Sequence, residues 1–199
     1  MKKVFINLKS KTILTVVILL SSLCVQSFAS VHALITPENK KLVVDISDLY
    51  GDHASCMIKD QEGTIVFAEK IAESDQVIKK YDLSQLKQGL YELILEDVMS
   101  VEIVKFELTD TKINYVDKAL TVYKPTIIKK ADDLVYLNQL ALNKKVKIAV
   151  TKNGEDFFTK TYEGESSISK KIDFSTAEKG DYVIKVSILG ETFYNTVSI

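Results

Sequence analysis

The sequence predicts an all-β protein in which two tandem β-sandwich domains follow an N-terminal signal peptide. A thirteen-residue phrase, KKYDLSQLKQGLY at 79–91, returns in altered form as KKIDFSTAEKGDY at 170–182. Short runs of alternating apolar and polar residues, separated by turn residues, fill both halves of the chain. The chain also begins with a lysine-rich segment, an apolar run and a small-residue ending, which is the pattern of a secretory leader.

The leader is the first element. MKKVFINLKSK carries four lysines and no acid, TILTVVILLSSLCV is apolar, and SFAS supplies the small residues of a cleavage site. We expect a signal peptide at 1–29 that is cut between Ala29 and Ser30. An uncleaved membrane anchor is one alternative. A lipoprotein is another, with the lipid on Cys24, although Leu23 stands where a small residue is wanted.

Composition limits the function of the cleaved chain. All 26 basic residues are lysines, and loss of the leader leaves 22 of them against 27 acids, a formal charge of −5. A mildly acidic chain without arginine is poorly suited to phosphate backbones, so we expect no nucleic-acid partner. We also expect no membrane span after cleavage. Cys56 would be the remaining cysteine, so stability has to come from burial and not from an internal disulfide.

The repeat gives the domain boundaries. At a shift of 91 residues the two halves align without a gap from the repeated phrase to Leu108 on Ile199. A unit of this length is the size of a small sandwich domain. We therefore expect one domain at 30–110 and a second at 111–199. The stretch between them, DTKINYVDK, has no Gly or Pro, which favours a stiff connection.

Each half is expected to form the same series of strands. The first contains ASCMIKD, TIVFAEK, GLYELILED and VEIVKFELT, with Cys56 and Ile58 facing inward. The second contains KVKIAV, DFFTKTY, ISKKIDF, GDYVIKVSIL and ETFYNTVSI, with a turn at Asn153 and Gly154. Neither half shows a long helical period.

The repeated phrase is expected to be the corner between two strands. Its aspartate ends the incoming strand, its glycine permits the turn, and its tyrosine begins the outgoing strand with the ring pointing inward. A buried tyrosine hydroxyl needs a partner, which the corner backbone can supply. This resembles the tyrosine corner of immunoglobulin-like and fibronectin III-like sandwiches. The structural corner residues are Asp82, Gly89, Tyr91, Asp173, Gly180 and Tyr182.

Two lysines disagree with this pattern. Lys79 and Lys170 share the phase of Tyr81 and Ile172, whose side chains should face the core. Either a bulge shifts the phase or the strand is an edge from which the lysine head reaches water. A lysine-based binding site is the third alternative.

The segment IDFSTAEKGDYVIKVSILGETFYNTVSI, with its counterpart in the first half, resembles small exported immunoglobulin-like domains of Bacteroidetes. It is similar to the C-terminal sorting domains of the type IX secretion system, with a corner, a glycine turn and a closing strand. It is also similar to short secreted β-sandwich proteins of unknown function. The resemblance implies export and a sandwich fold.

The residues offer little catalytic chemistry. His53 stands beside Asp52 and close to Cys56, but sequence neighbours rarely face one another as a triad requires. His32 has no counterpart in the second half. The acidic turns at 132–134 and 154–156 lack a full calcium-ligand series. We expect no catalytic residue, no metal site and no cofactor. Three tyrosines are candidate surface aromatics: Tyr50, Tyr115 and Tyr123.

The predicted function is an exported, non-enzymatic interaction or structural module in the periplasm, at the cell surface or outside the cell. Its expected partner is another envelope or extracellular protein. The alternative is a secretion-system protein whose C-terminal domain is a sorting signal. A hydrolase with a concealed site is a third hypothesis.

Overall fold

A computed structural model describes residues 33–36, 40–47, 49, 54–72, 78–130 and 133–199, and Val31–Ile199 form one compact unit. The leader, with Cys24 and the Ala29–Ser30 cleavage site, lies outside the described residues and stays a prediction. So do several residues singled out for their chemistry: His32, Tyr50, Asp52, His53 and Asp132.

The described residues form strands and no helix, which confirms the all-β prediction. No helix in this part of the chain is therefore long and apolar enough to cross a membrane. The strands that precede residue 110 are β1 (Ala33–Thr36), β2 (Lys41–Asp45), β3 (Ser55–Asp60), β4 (Ile65–Lys70), β5 (Ile78–Asp82), β6 (Gly89–Glu96) and β7 (Ser100–Leu108).

Nine strands follow in the described residues after 110. They are β8 (Ile113–Tyr115), β9 (Leu120–Tyr123), β10 (Thr126–Lys129), β11 (Leu134–Leu140), β12 (Val146–Lys152), β13 (Glu155–Tyr162), β14 (Ser167–Asp173), β15 (Asp181–Ile188) and β16 (Glu191–Ser198).

The first seven strands and the last seven pair in the same order. In the first set, one sheet has the order β1-β2-β5, and β4-β3-β6-β7 form the other. In the second set the orders are β10-β11-β14 and β13-β12-β15-β16. Every pairing within these sheets is antiparallel. The two sets share this strand order, and the division of the chain into two domains at residue 110 stays a prediction.

The connection between the two sets is itself made of strands. Both β8 and β9 pair antiparallel with β7, and together they follow its outer edge. A boundary at residue 111 assigns both strands to the second half, whereas their hydrogen bonds go to the first.

Most of the buried apolar side chains form two hydrophobic clusters. The residues of one cluster come from the sequence range 42–113, and those of the other come from the range 122–197. Alternation along β15 buries Tyr182, Ile184, Val186 and Ile188, because successive side chains point to opposite faces of a strand. Cys56 and Ile58 are likewise fully buried, as their strand phase predicts.

The inward-phased lysines are explained by the sheet edges. Both β5 and β14 are edge strands, so a long side chain can leave the core sideways. Lys79 Nζ lies 2.8 Å from Glu69 Oε1, and Lys170 Nζ lies 4.8 Å from the centre of the Tyr162 ring. The geometry therefore favours the alternative in which Lys79 and Lys170 extend outward from edge strands.

Candidate functional site

The two corners have the same internal hydrogen bond. The Tyr91 hydroxyl donates to the carbonyl oxygen of Lys87 at 2.7 Å, and the Tyr182 hydroxyl donates to that of Glu178 at 2.9 Å. Each tyrosine thus satisfies its buried polar atom four residues upstream, inside its own corner. Both rings are buried, so these tyrosines are core residues that do not face solvent.

The corner aspartates close tight turns. Asp82 Oδ1 accepts the backbone N–H of Ser84, and Asp173 Oδ1 accepts that of Ser175, each at 2.9 Å. Hydrogen bonds from these serines favour the ionised form and hold the pKa of each carboxyl group below its ordinary value. For Asp82 the backbone N–H of Ser84 has the larger effect, and for Asp173 the side chain of Ser175 does, followed by its backbone N–H. Each aspartate side chain is therefore hydrogen-bonded within its own turn.

The side chain of a lysine from β12, Lys152, also contacts the second corner. Lys152 Nζ lies 3.0 Å from Glu178 Oε2 and 3.1 Å from the carbonyl oxygen of Lys179. Gly180 has φ of 140°, and a Cβ atom there would lie 3.3 Å from Lys152 Cε. Glycine therefore both permits the backbone geometry and leaves room for the lysine stem.

A polar cluster lies in the first set of strands, between the edge strands β4 and β5. Glu69 accepts hydrogen bonds from Lys79 Nζ at 2.8 Å and from the Tyr81 hydroxyl at 3.0 Å. Cys56 is fully buried beside them, and burial raises the pKa of its thiol to about 11. Burial likewise raises the pKa of Tyr81. A protonated, enclosed thiol is a poor nucleophile, so this cluster is suited to packing.

Within the ranges that the structure describes, no group of three His, Cys, Asp or Glu side chains is placed to hold a metal ion. Asp133, in the acidic turn at 132–134 that the sequence singles out, is paired with Lys129 at 3.3 Å and with Lys179 at 2.6 Å. These lysines lower the pKa of the Asp133 carboxyl group.

The strands on either side of the connection meet at a junction. A third hydrophobic cluster contains Ile94, Val101 and Ile103 of the first set, with Leu120 and Phe193 packed against it. Leu120 belongs to β9, whose next inward residue, Val122, is buried in the second core. This strand therefore contacts both sets at once.

Beside the junction lies a groove of about 470 Å³, which we call the junction groove. Its walls come from the β6–β7 turn, the segment from β9 to β10, β11, and the start of β14. Val98 and Met99 are 51% and 58% exposed at its rim. Lys124, the charged residue of the lining, is neutralised by Glu96 at 2.7 Å. The groove is thus concave, uncharged and partly apolar, which are properties of a binding surface.

A buried amide forms part of the groove wall. Gln139 is 2% exposed, and its Nε2 donates to the carbonyl oxygens of Tyr123 at 3.0 Å and Leu140 at 2.8 Å. Its Oε1 is buried without a hydrogen-bond partner. The amide ties β11 to the end of β9 and so fixes one side of the groove.

The exposed aromatic residues are mostly not those that the sequence singles out. Tyr115 is 48% exposed, but Tyr123 is half-buried in the groove. Among the residues that the structure describes, the most exposed ring is that of Tyr194 on β16, at 67%. Its alternation with Phe193 places it on the outer face, a signal present in the sequence but obscured there because two aromatic residues are adjacent in ETFYNTVSI.

Comparison with known proteins gives one family match. Residues 36–107 match the family described as the secretion system C-terminal sorting domain. No curated protein matches the chain. The match covers about a third of the chain and falls on strands of the first set, with 92 further residues after it. The resemblance seen in the sequence is thereby confirmed: over residues 36–107 the chain is similar to a sorting domain of a secretion system, and this similarity associates it with export.

Proposed function

We propose that this protein is an exported, non-enzymatic module that binds another envelope or extracellular protein. It acts in the periplasm, at the cell surface or outside the cell, and it needs no metal or cofactor. The absence of arginine from the sequence and the formal charge of −5 after leader removal argue against nucleic acid as the partner.

One observation carries this proposal. Strand β7, which closes the sorting-domain-like segment, is covered along its outer edge by β8 and β9. The segment is therefore built into a longer β structure, in which β9 also supplies Val122 to the next core. A domain used as a permanent structural unit is expected to be integrated in this way.

The junction groove is the proposed contact surface. Its lysine is already paired with Glu96, so the groove offers uncharged polar groups and exposed apolar side chains. We expect a partner that presents an uncharged, partly apolar stretch of chain, because a charged group there would lose water without gaining a counter-charge.

A second candidate function is favoured by the family match itself. In this candidate the chain is a secretion-system protein whose C-terminal domain is the sorting signal. The secretion apparatus reads that domain and then removes it. Cleavage near residues 110–125 would separate the second set of strands from the first.

The two candidates differ in what remains after export. Antibodies raised against 40–108 and against 126–199 should both detect one exported chain of 170 residues, as a cut after Ala29 leaves. A product recognised by the first antibody alone would support the sorting signal and contradict the module. The cytoplasmic precursor on the same blot is the length control.

A binding test follows from the groove. Val98→Lys and Met99→Lys add charge to its exposed rim, whereas Val116→Lys changes a residue of similar exposure, 47%, outside the groove. Partners cross-linked to the exported protein should be lost from the two groove variants and kept by the control. Equal recovery from all three would contradict the groove as the contact surface.

A further inference from the structure

The outer edge of β16 directs backbone N–H and C=O groups away from β15. Gly180 and Ile199 exchange both backbone hydrogen bonds, at 3.1 and 2.9 Å, and so set the phase of the β15–β16 ladder. In an antiparallel pair, alternate residues direct their N–H and C=O groups away from the partner strand. On β16 these outward residues are Thr192, Tyr194, Thr196 and Ser198.

The equivalent edge in the first set is occupied. The hydrogen bond from Asp97 N to Ser100 O at 3.0 Å shows which residues of β7 are hydrogen-bonded to β6. The residues of β7 and β16 correspond at the repeat shift of 91. The outward residues of β7 are Val101, Ile103, Lys105 and Glu107.

All four of these positions on β7 meet the connection between the two sets. Val101 pairs with Val122, Ile103 with Leu120, and Glu107 with Asn114. At the fourth outward residue, Lys105, the carbonyl oxygen accepts a hydrogen bond from the N–H of Val116 at 3.0 Å. This edge geometry thus accepts an added antiparallel strand.

Along β16, within the part of the chain that the structure describes, no strand pairs with the outer edge. Lys129 Nζ donates to the carbonyl oxygen of Ser198, which occupies one end. The three other outward positions, Thr192, Tyr194 and Thr196, are left for a strand from elsewhere.

The side chains of this edge carry no charge. From Thr192 to Ile199 the sequence has no Asp, Glu or Lys, and Tyr194 is 67% exposed. The other described edge strands of five or more residues, β4, β5, β13 and β14, each contain at least two charged residues. Charges on an edge discourage association between sheets. On β16 the single charged residue is Glu191, at the start of the strand, so the stretch from Thr192 onward lacks that protection.

We propose that the outer edge of β16 is a homodimer interface, in which β16 of a second copy pairs antiparallel with it. Centred on Tyr194, the pairing places Thr192 opposite the second copy's Thr196, and the two tyrosines opposite each other. A two-fold contact needs a self-complementary strand, and β16 meets this need because its uncharged stretch from Thr192 faces itself and Glu191 falls opposite Val197, so no like charges face each other. The sheet β13-β12-β15-β16 then continues through the second copy. This inference does not depend on the proposed function.

Sedimentation equilibrium of the purified exported protein tests the pairing. The wild-type mass should rise toward twice the monomer mass as concentration increases. Tyr194→Lys places two like charges across the two-fold axis and should keep the protein monomeric. Tyr136→Lys is the matched control, since Tyr136 is an exposed tyrosine on β11, a central strand, and its dimer should match wild type.

Hydrogen exchange of the wild-type protein gives a second measurement that needs no variant. Amides of Thr192, Tyr194 and Thr196 should become protected as concentration rises through the dimer range. A wild-type protein that stays monomeric at every concentration overturns the proposal. So does a dimer that survives Tyr194→Lys, or one whose formation leaves these three amides unprotected, because either result places the contact on another surface.

Discussion

The hydroxyl of Tyr182 contributes one buried hydrogen bond, and its ring fills the second core beside Phe174 at 4.9 Å between ring centres. Tyr182→Phe should lower the free energy of unfolding by about 0.5–1.5 kcal/mol, because it removes the bond and keeps the ring. Tyr182→Ala also opens a cavity and should cost on the order of 3–5 kcal/mol. Urea denaturation of the purified variants measures both values.

Two controls separate the hydrogen bond from general effects of substitution. Tyr194→Phe changes an exposed hydroxyl, and Lys185→Ala changes the outward face of the same strand as Tyr182, so each should alter stability by less than about 0.5 kcal/mol. If Lys185→Ala is more destabilising than Tyr182→Ala, the assignment of faces on β15 is wrong.

The buried thiol of Cys56 predicts a pH dependence of stability. Its pKa is raised from 9.0 in the unfolded chain to about 11 in the folded one. Between these values the unfolded chain loses the proton while the folded chain keeps it. The unfolded state then binds fewer protons, so stability is fully present below pH 9 and is lost as the pH rises through about 11.

Comparison with Cys56→Ala isolates this contribution. The wild-type protein should lose on the order of 2–3 kcal/mol more than the variant between these pH values, at about 1.4 kcal/mol per pKa unit. Denaturant melts at a series of pH values give both slopes. Parallel slopes would show that the folded thiol titrates normally.

At the scale of elements, the β12–β13 hairpin depends on two residues with positive φ. Asn153 has φ of 52° and Gly154 has φ of 85°, as a two-residue turn of this type requires. A Cβ atom at Gly154 would meet no atom within 4 Å, so the cost of Gly154→Ala is backbone strain alone. We expect a loss of about 1–2 kcal/mol in thermal or urea melts.

The neighbouring variant Asn153→Gly tests the same turn in the permissive direction. Glycine adopts positive φ readily, so the change should stay within about 0.5 kcal/mol of wild type. If Gly154→Ala is as mild as Asn153→Gly, the turn has relaxed to another type and the register of β13 should be re-examined by hydrogen exchange.

Sequence reasoning succeeds for the elements whose signal is local. Alternation in KVKIAV and GDYVIKVSIL locates β12 and β15, and the Asn153–Gly154 pair locates the turn between β12 and β13. It misses β8 and β9, because INY and LTVY are too short to show a period and are strands only through their pairing with β7. The junction groove is missed for a related reason, since its walls come from four separate segments.

For the whole molecule, the central question is how the two sets of strands are coupled. Strand β9 gives its hydrogen bonds to β7 and its Val122 side chain to the second core. The cluster around Ile94, Val101 and Ile103 adds apolar contact through Leu120 and Phe193. These two links predict that both sets unfold together, because loss of either set exposes the apolar surface of the other.

Ile94→Asp tests this coupling. Ile94 is 5% exposed at the junction, so a carboxylate there would be buried without a counter-charge and should cost on the order of 2–4 kcal/mol. Differential scanning calorimetry should show one transition for the wild-type protein and two for the variant, with the set that contains β6 melting first. Leu90→Asp is the matched control, on the same strand and face but 48% exposed, and it should keep the single transition. A single, nearly unshifted transition for Ile94→Asp would show that this cluster does not couple the two sets, and β9 alone would then have to hold them together.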